Sequence, residues 1–418
     1  MRNRSHKSLL KERASDSLLG RILVLTGARQ TGKTTLVREA FPDYAYISLD
    51  DPVLRVQYQS LSAYQWEKQF PIAILDEVQK VPQLIESIKA VYDQFPATRY
   101  LLLGSSQILL MQQVRESLAG RCHLMELYPL TLPEMLTQSW EDSVKESRLI
   151  RWLKRGVNLA DIPAVLAGNP QFVEASICFE RYLQVGGYPA LWGDKLPDEA
   201  QAQQWLYDYV QTYLQRDIRD LAEIRNLEPF VLAQQMSARL TGELVNYSSL
   251  AKEAGITAKT ARRFLQYLQM SYQVVLLQPW FRNSRKRLVK SPKLHYLDPG
   301  VQSAVSGRYG TLSGREFESA VVVEMIKQIK NSGLRVDFYH LRTADGREVD
   351  LLLELSDGFY AFEIKQSRSV HASDGRHFKG LSALLDKPLK HAFVVSNDPV
   401  ARELMEGVSA VPVVALLS

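Results

Sequence analysis

Ile22-Leu23-Val24-Leu25-Thr26-Gly27-Ala28-Arg29-Gln30-Thr31-Gly32-Lys33-Thr34 decides how the first third of the chain is read. A strand-length apolar run leads straight into Gly27–Thr34, which fits the pattern GxxxxGK[ST], and a helical pattern opens at Lys33. The bland alternative is a glycine turn before a helix, but the strand before and the helix after are the context the motif requires. Glycines let backbone N–H groups curl round phosphates, and a helix N-terminus favours negative charge there. Lys33 is expected to reach the β- and γ-phosphates of ATP, and the Thr34 hydroxyl to bind Mg²⁺. The expected nucleotide-binding set is Gly27, Ala28, Arg29, Gln30, Thr31, Gly32, Lys33, Thr34 and Thr35.

Working outward, Ile72–Leu75 is a second apolar run and ends in Asp76-Glu77. Adjacent carboxylates at the end of a buried strand need partners. Asp76 is expected to hold Mg²⁺ through water and Glu77 to act as general base toward the attacking water. A third run, Tyr100–Leu103, ends in Gly104-Ser105-Ser106, so either serine is a candidate for touching the γ-phosphate, with a simple turn as the other reading. Arg121 is a candidate arginine finger, or a surface arginine. Short apolar strands alternating with amphipathic stretches over the first 135 residues predict a mostly parallel α/β sheet.

From Leu136 to Arg239 the pattern is helical, broken at Gly168-Asn169-Pro170 and at Gly186-Gly187-Tyr188-Pro189. Then Tyr247–Ala254, a Gly255-Ile256-Thr257 turn and a helix from Ala258 to Gln269 read as a helix-turn-helix. Ala261, Phe264, Leu265 and Leu268 form its inward face. Lys259, Thr260, Arg262 and Arg263 fall where a recognition helix meets DNA. The strand-like runs Gln273–Gln278 and Lys293–Leu297 follow, joined by a basic turn through Arg282, Arg285, Lys286 and Arg287. This pattern predicts a winged helix over 240–300 whose wing contacts phosphates, or one that serves as a spacer or protein-binding module.

The final stretch, 312–418, reads as a separate α/β unit: a helix from Gly314, strands, a helix and a strand. Asp357-Gly358 is a two-residue hairpin signal. A turn there pairs Ser356 with Phe359 and Asp350 with Lys365, and places Glu363 on the same face. Asp350, Glu363 and Lys365 thus match the D…ExK spacing of PD-(D/E)xK nucleases. In those, two carboxylates bind Mg²⁺ and the lysine positions or deprotonates the nucleophilic water. Glu318 on the preceding helix is placed to complete the site. The competing reading is a hairpin held by a cross-strand ion pair.

Composition bounds these readings. Hydrophobic residues at 46% and charged residues at 23% are those of a globular protein, and 418 residues suggest two to four domains. No apolar run approaches the ~20 residues that span a bilayer, and the basic N-terminus lacks the apolar core of a secretory signal. Two cysteines, Cys122 and Cys178, in unrelated contexts suggest a reducing, cytoplasmic setting. A net charge of +5 permits a nucleic-acid partner without demanding one.

Taken together, GARQTGKTTL, ILDEVQ, LLLGSS, SLAGR and Tyr128-Pro129-Leu130 resemble the core of a widespread bacterial and archaeal family of AAA-type ATP-binding proteins with a C-terminal domain of unknown function. GGYP at 186–189, Tyr213 with Arg216-Asp217-Ile218, EVD at 348–350 and EIK at 363–365 resemble its C-terminal half. The stretch Gln138–Ala175 is longer than usual for that family. The resemblance implies an α/β P-loop AAA-type core (1–135), a helical lid region (136–239), a winged helix (240–300) and a restriction-endonuclease-like α/β domain (312–418). The expected function is a Mg²⁺-dependent ATPase acting on nucleic acid. ATP would control DNA binding at a nuclease-like site whose metal ligands are Asp350 and Glu363. Two alternatives stay open: an ATP-gated switch with a non-catalytic C-terminal platform, and a ring-forming, homo-oligomeric motor that separates or migrates DNA strands.

Overall fold

The computed structural model describes residues 2–15, 21–104, 114, 116–162, 166, 168–214, 226–282, 291–343 and 346–418. Ser105, Ser106, the turn residues Arg285, Lys286 and Arg287, and Arg216-Asp217-Ile218 lie outside the described residues.

The first sheet consists of β1 (Ile22–Thr26), β2 (Ala45–Ser48), β3 (Ile72–Asp76), β4 (Arg99–Leu103) and β5 (Cys122–Glu126). It is parallel throughout, in the order β2-β3-β4-β1-β5. β1 is buried along its whole length. Its pleat sends Ile22 and Val24 into a core with Trp66, Ile85 and Ile88, and Leu23 and Leu25 into one with Leu10, Leu36 and Val37. Helices on both faces of a parallel sheet are what near-continuous apolar strands require. The order puts β4 between the strand that feeds Gly27 and the strand that ends in Asp76.

The second sheet, among the described residues, has nine strands. They are β6 (Glu243–Leu244), β7 (Val274–Pro279), β8 (Lys293–Tyr296), β9 (Asp337–Arg342), β10 (Glu348–Leu355), β11 (Gly358–Lys365), β12 (Leu389–Ser396), β13 (Arg402–Met405) and β14 (Val408–Pro412). Their order is β13-β14-β12-β11-β10-β9-β7-β8-β6. The hairpin β7–β8 follows the helices Tyr247–Glu253 and Ala258–Met270, and Ala261, Phe264, Leu265 and Leu268 of the second helix are buried as the spacing predicts. β7 also pairs parallel with β9, Gln278 beside Tyr339, and Trp280 N donates to His340 O at 2.7 Å. Hydrogen bonding therefore runs across the expected boundary near 300–312, and the final stretch is not a detached unit. The helix Gly314–Asn331 explains why: it is buried on nearly every side, and one core joins its Phe317, Val321 and Met325 to Phe179, Phe230 and Val301.

The hairpin register also differs from the expectation. Ser356 and Asp357 make the turn, and Leu355 pairs with Gly358, which takes φ +155. Continuing the pairing from Leu351–Phe362 sets Asp350 opposite Glu363, and Glu348 rather than Asp350 opposite Lys365. The shift is two residues, a full pleat repeat, so Asp350, Glu363 and Lys365 still share a face.

Candidate functional site

The loop from β1 to the helix Lys33–Ala40 is held in a conformation few residues adopt. Gly27 has φ +149, and a Cβ on it would stand 2.2 Å from Leu127 O. Gln30 has φ +62 and Gly32, the residue before the helix, φ +86. Lys33 is buried, and its Nζ donates to Gly27 O (2.9 Å) and Ala28 O (2.8 Å), bridging the loop. Thr34 Oγ1 donates to Asp76 Oδ2 at 2.7 Å, so the two predicted Mg²⁺-binding side chains already meet. Tyr46 OH donates to the same oxygen at 2.9 Å, and Glu77 N donates to Asp76 Oδ1 at 2.9 Å. Thr34 and Asp76 are the hydroxyl and carboxylate a Mg²⁺–phosphate group needs, and Lys33 beside them is a cation for the phosphates, so the residues fit a nucleotide with its metal. Thr35 is exposed on the first turn of the helix.

Glu77 has φ +58, a left-handed backbone that is uncommon outside glycine. Gln79 Nε2 donates to its Oε2. Among the described residues three non-glycine residues have positive φ: Gln30, Glu77 and Tyr272. The third, at the end of the helix Ala258–Met270, reaches the same region: Tyr272 OH hydrogen-bonds Thr26 Oγ1 (2.7 Å) and donates to Glu126 Oε1 (3.2 Å).

Other distant residues close on the loop. Arg4 donates to Thr31 O (3.1 Å) and Tyr128 O (2.6 Å) and pairs with the buried Glu134 at 3.4 Å. Tyr209 OH donates to Arg29 O and shares a hydrogen bond with Tyr188 OH, both at 3.1 Å. The Gly186–Pro189 turn is clamped on both sides. Gly187 N donates to Asp298 Oδ2 (2.7 Å), Gly187 O accepts from Leu130 N (2.7 Å), and Pro189 lies against Gly32. Sequence reasoning flagged this turn only as a break between helices and as a resemblance. Arg4, Tyr46, Tyr209, Tyr272 and Asp298 carried no motif that would have found them.

Arg121 stands at the far end of β5. Cys122 pairs with Ile22 at the start of β1, whereas Glu126 pairs with Thr26 beside the loop. At about 3.3 Å per strand residue, it lies about 15 Å from this chain's own loop. It pairs there with Asp93 at 2.8 Å. A finger role would require a neighbouring copy.

A second constellation lies on the large sheet. Asp350 is buried; its Oδ2 accepts from Ile364 N (2.8 Å) and its Oδ1 from Lys293 Nζ (3.1 Å). Lys293 Nζ also lies 2.6 Å from Glu318 Oε1 and 3.4 Å from Glu348 Oε1. Glu363 Oε1 pairs with Lys365 at 3.3 Å, while buried Glu363 Oε2 has no hydrogen-bond partner among the described residues. Burial pushes the carboxyls of Glu318 and Glu363 up to about 8, with Asp350 adding to both. Burial would lower Lys293, but Asp350, Glu318 and Glu348 outweigh it and hold the ammonium above its ordinary value. The predicted metal pair Asp350 and Glu363 is thus brought together, but each already pairs with an ammonium, Asp350 with Lys293 and Glu363 with Lys365. Among the described residues no three His, Cys, Asp or Glu side chains are placed to hold a metal ion. A cleft of about 700 Å³ opens on Glu318 and Lys365, with Arg239, Arg308 and Arg315 at its rim.

Residues 19–136 match a family described as an AAA domain. The match spans the first sheet and the loop after β1, so this part of the chain is similar to an AAA domain. Residues 178–311 and 313–416 match two domains of unknown function, DUF8612 and DUF4143. An uncharacterized protein of Mycobacterium tuberculosis is 28% identical over 95% of this chain and 81% of its own length. Another, of Methanocaldococcus jannaschii, is 21% identical over 80% of this chain and 72% of its own length. Among solved structures, a Walker-type ATPase of Pyrococcus abyssi aligns over 72% of this chain and 94% of its own, with 15% identity and a TM-score of 0.44. No helix among the described residues is long and apolar enough to cross a membrane.

Proposed function

We propose that this protein binds ATP with Mg²⁺ at Gly27–Thr35, hydrolyses it, and uses the nucleotide to control a nucleic-acid-binding surface built from its helix-turn-helix and C-terminal cleft. The observation that carries the ATPase reading is the hydrogen bond between Thr34 and Asp76 beside the helix N-terminus, with Glu77 next in the chain. Thr34 and Asp76 would hold Mg²⁺, which supplies neutralising charge to the phosphates when bound. Lys33 would exchange its loop carbonyls for phosphate oxygens, and the loop amides would take the rest of the charge. Glu77, held by Gln79, would accept a proton from the attacking water. The test is ATP binding and turnover: Lys33→Ala should lose binding, while Glu77→Gln should bind ATP and fail to turn it over. Wild-type turnover in Glu77→Gln would refute the base assignment.

Nucleic acid as the partner is supported by two surfaces. Lys259, Arg262 and Arg263 are exposed on the helix Ala258–Met270, in the helix–hairpin arrangement of a winged helix. The cleft edged by Arg239, Arg308 and Arg315 offers cations around an acidic floor, which suits a phosphodiester backbone. DNA affinity that falls steeply with salt and weakens in Arg262→Ala/Arg263→Ala would support this partner; salt-independent binding would count against it.

The restriction-endonuclease-like reading of 312–418 is supported by Asp350, Glu363 and Lys365 sharing a face of β10 and β11. One observation favours the second reading, a platform without cutting: an ammonium already fills the acidic cluster. No step of cleavage is therefore assigned to these residues.

A further inference from the structure

Lys293 does not belong to the hairpin that carries the acids. It is on β8, paired with Leu277 of β7 and Leu244 of β6, and its side chain crosses from the helix-and-hairpin unit into the cluster. It is nearly fully buried, at 3% exposure. A buried ammonium costs several kcal/mol unless carboxylates surround it. Here Glu318, Glu348 and Asp350 do so, at 2.6, 3.4 and 3.1 Å. Those contacts occupy the oxygens a divalent ion would need, and a cation of charge two cannot share them with an ammonium.

Four carboxyl groups, those of Glu318, Glu348, Asp350 and Glu363, lie round two ammoniums, Lys293 and Lys365. Among the described residues, buried Glu363 Oε2 has no hydrogen-bond partner.

We propose that Lys293 is the resident cation of the Glu318–Asp350 cluster, standing where a PD-(D/E)xK nuclease holds its divalent ion, so that the folded site excludes a divalent metal. The layout of the site rests on the nuclease-like reading above; the role of Lys293 does not require that the protein cuts anything.

The test is Mn²⁺ binding to the full-length, nucleotide-free protein, followed by the loss of the free-Mn²⁺ electron paramagnetic resonance signal. Asp350→Asn serves as the blank. Wild type and Lys293→Arg should show no Asp350-dependent Mn²⁺ at millimolar metal. Lys293→Met should gain one Asp350-dependent site, tighter than wild type by at least about tenfold, the scale of removing one unit charge at contact distance. Asp350-dependent binding of equal affinity in wild type and Lys293→Met overturns the proposal, as does a folded Lys293→Met that gains none. Should Lys293→Met fail to fold, the wild-type chain decides: Asp350-dependent Mn²⁺ overturns the proposal and its absence supports it. DNA cutting with Mn²⁺ is scored separately on the same variants. A Lys293→Met protein that binds Mn²⁺ and cuts no DNA removes the nuclease reading and leaves the role of Lys293 standing.

Discussion

Glu77 shows what a single residue contributes to the nucleotide site. A left-handed non-glycine residue costs on the order of 1–3 kcal/mol and persists where the surroundings hold it. Here the Glu77 amide is tied to Asp76 and its carboxylate to Gln79. Replacing Glu77 with Gln keeps that geometry and removes the proposed base, so kcat for ATP should drop by roughly 10²–10⁴ with ATP affinity nearly unchanged. Single-turnover hydrolysis beside equilibrium ATP binding separates the two. His6 gives a pH prediction at the same scale. Burial pushes it down to about 4, against Glu134 and with help from Arg4 and Arg13. Its folded value lies below its unfolded value near 6.5, so the unfolded chain binds the extra proton between them and stability falls as pH drops from about 6.5 to 4. His6→Gln should flatten the decline in melting temperature between pH 7 and 5; an unchanged slope would show that His6 titrates normally.

At the scale of elements, the turn Gly186–Pro189 and the end of the helix Ala258–Met270 join distant parts of the chain to the loop at Gly27. Gly187 is needed for close approach: a Cβ there would lie 2.4 Å from Leu130 O, a backbone atom that cannot step aside alone. Gly187→Ala should destabilise by about 1–3 kcal/mol in urea unfolding, the usual cost of overpacking. Tyr272 bonds Thr26 and Glu126 through its hydroxyl alone, so Tyr272→Phe keeps the ring packed and removes the link. Stability should fall by about 0.5–1.5 kcal/mol. If this bond carries the coupling, DNA affinity with and without ATP should become equal while ATP binding alone is little changed. Linkage requires the same loss when ATP affinity is measured with and without DNA. Undiminished ATP dependence in Tyr272→Phe would place the coupling elsewhere.

At the scale of the whole molecule, the second sheet and the helix Gly314–Asn331 make one body of regions that the sequence separates. Glu324 and Lys327 of that helix are fully buried. They bind Leu132 N (2.7 Å) and Leu130 O (3.0 Å), in the segment that follows the first sheet. A fragment of residues 313–418 would expose both charges, one face of the helix and the β9 edge that β7 covers. It should therefore be soluble only poorly and show no cooperative melt by circular dichroism. A fragment that melts cooperatively near the full-length temperature would show that the last unit folds alone.

The loop at Gly27, the acids at Asp76 and Glu77 and the parallel first sheet were legible because they rest on local rules. Phosphate-binding backbone, strand-end carboxylates and apolar runs each lie within a few consecutive residues. The face shared by Asp350, Glu363 and Lys365 was legible for the same reason, since a two-residue pleat survives even a misplaced turn. What the sequence by itself determined is this local chemistry and the side of each element it falls on. Tertiary structure alone decided which cation fills the acidic cluster, which tyrosines and arginine close on the nucleotide loop, and that Arg121 lies far from it. Those partners are set by packing between segments tens to hundreds of residues apart, and no periodicity or spacing along the chain encodes a contact made only when separate elements share one core.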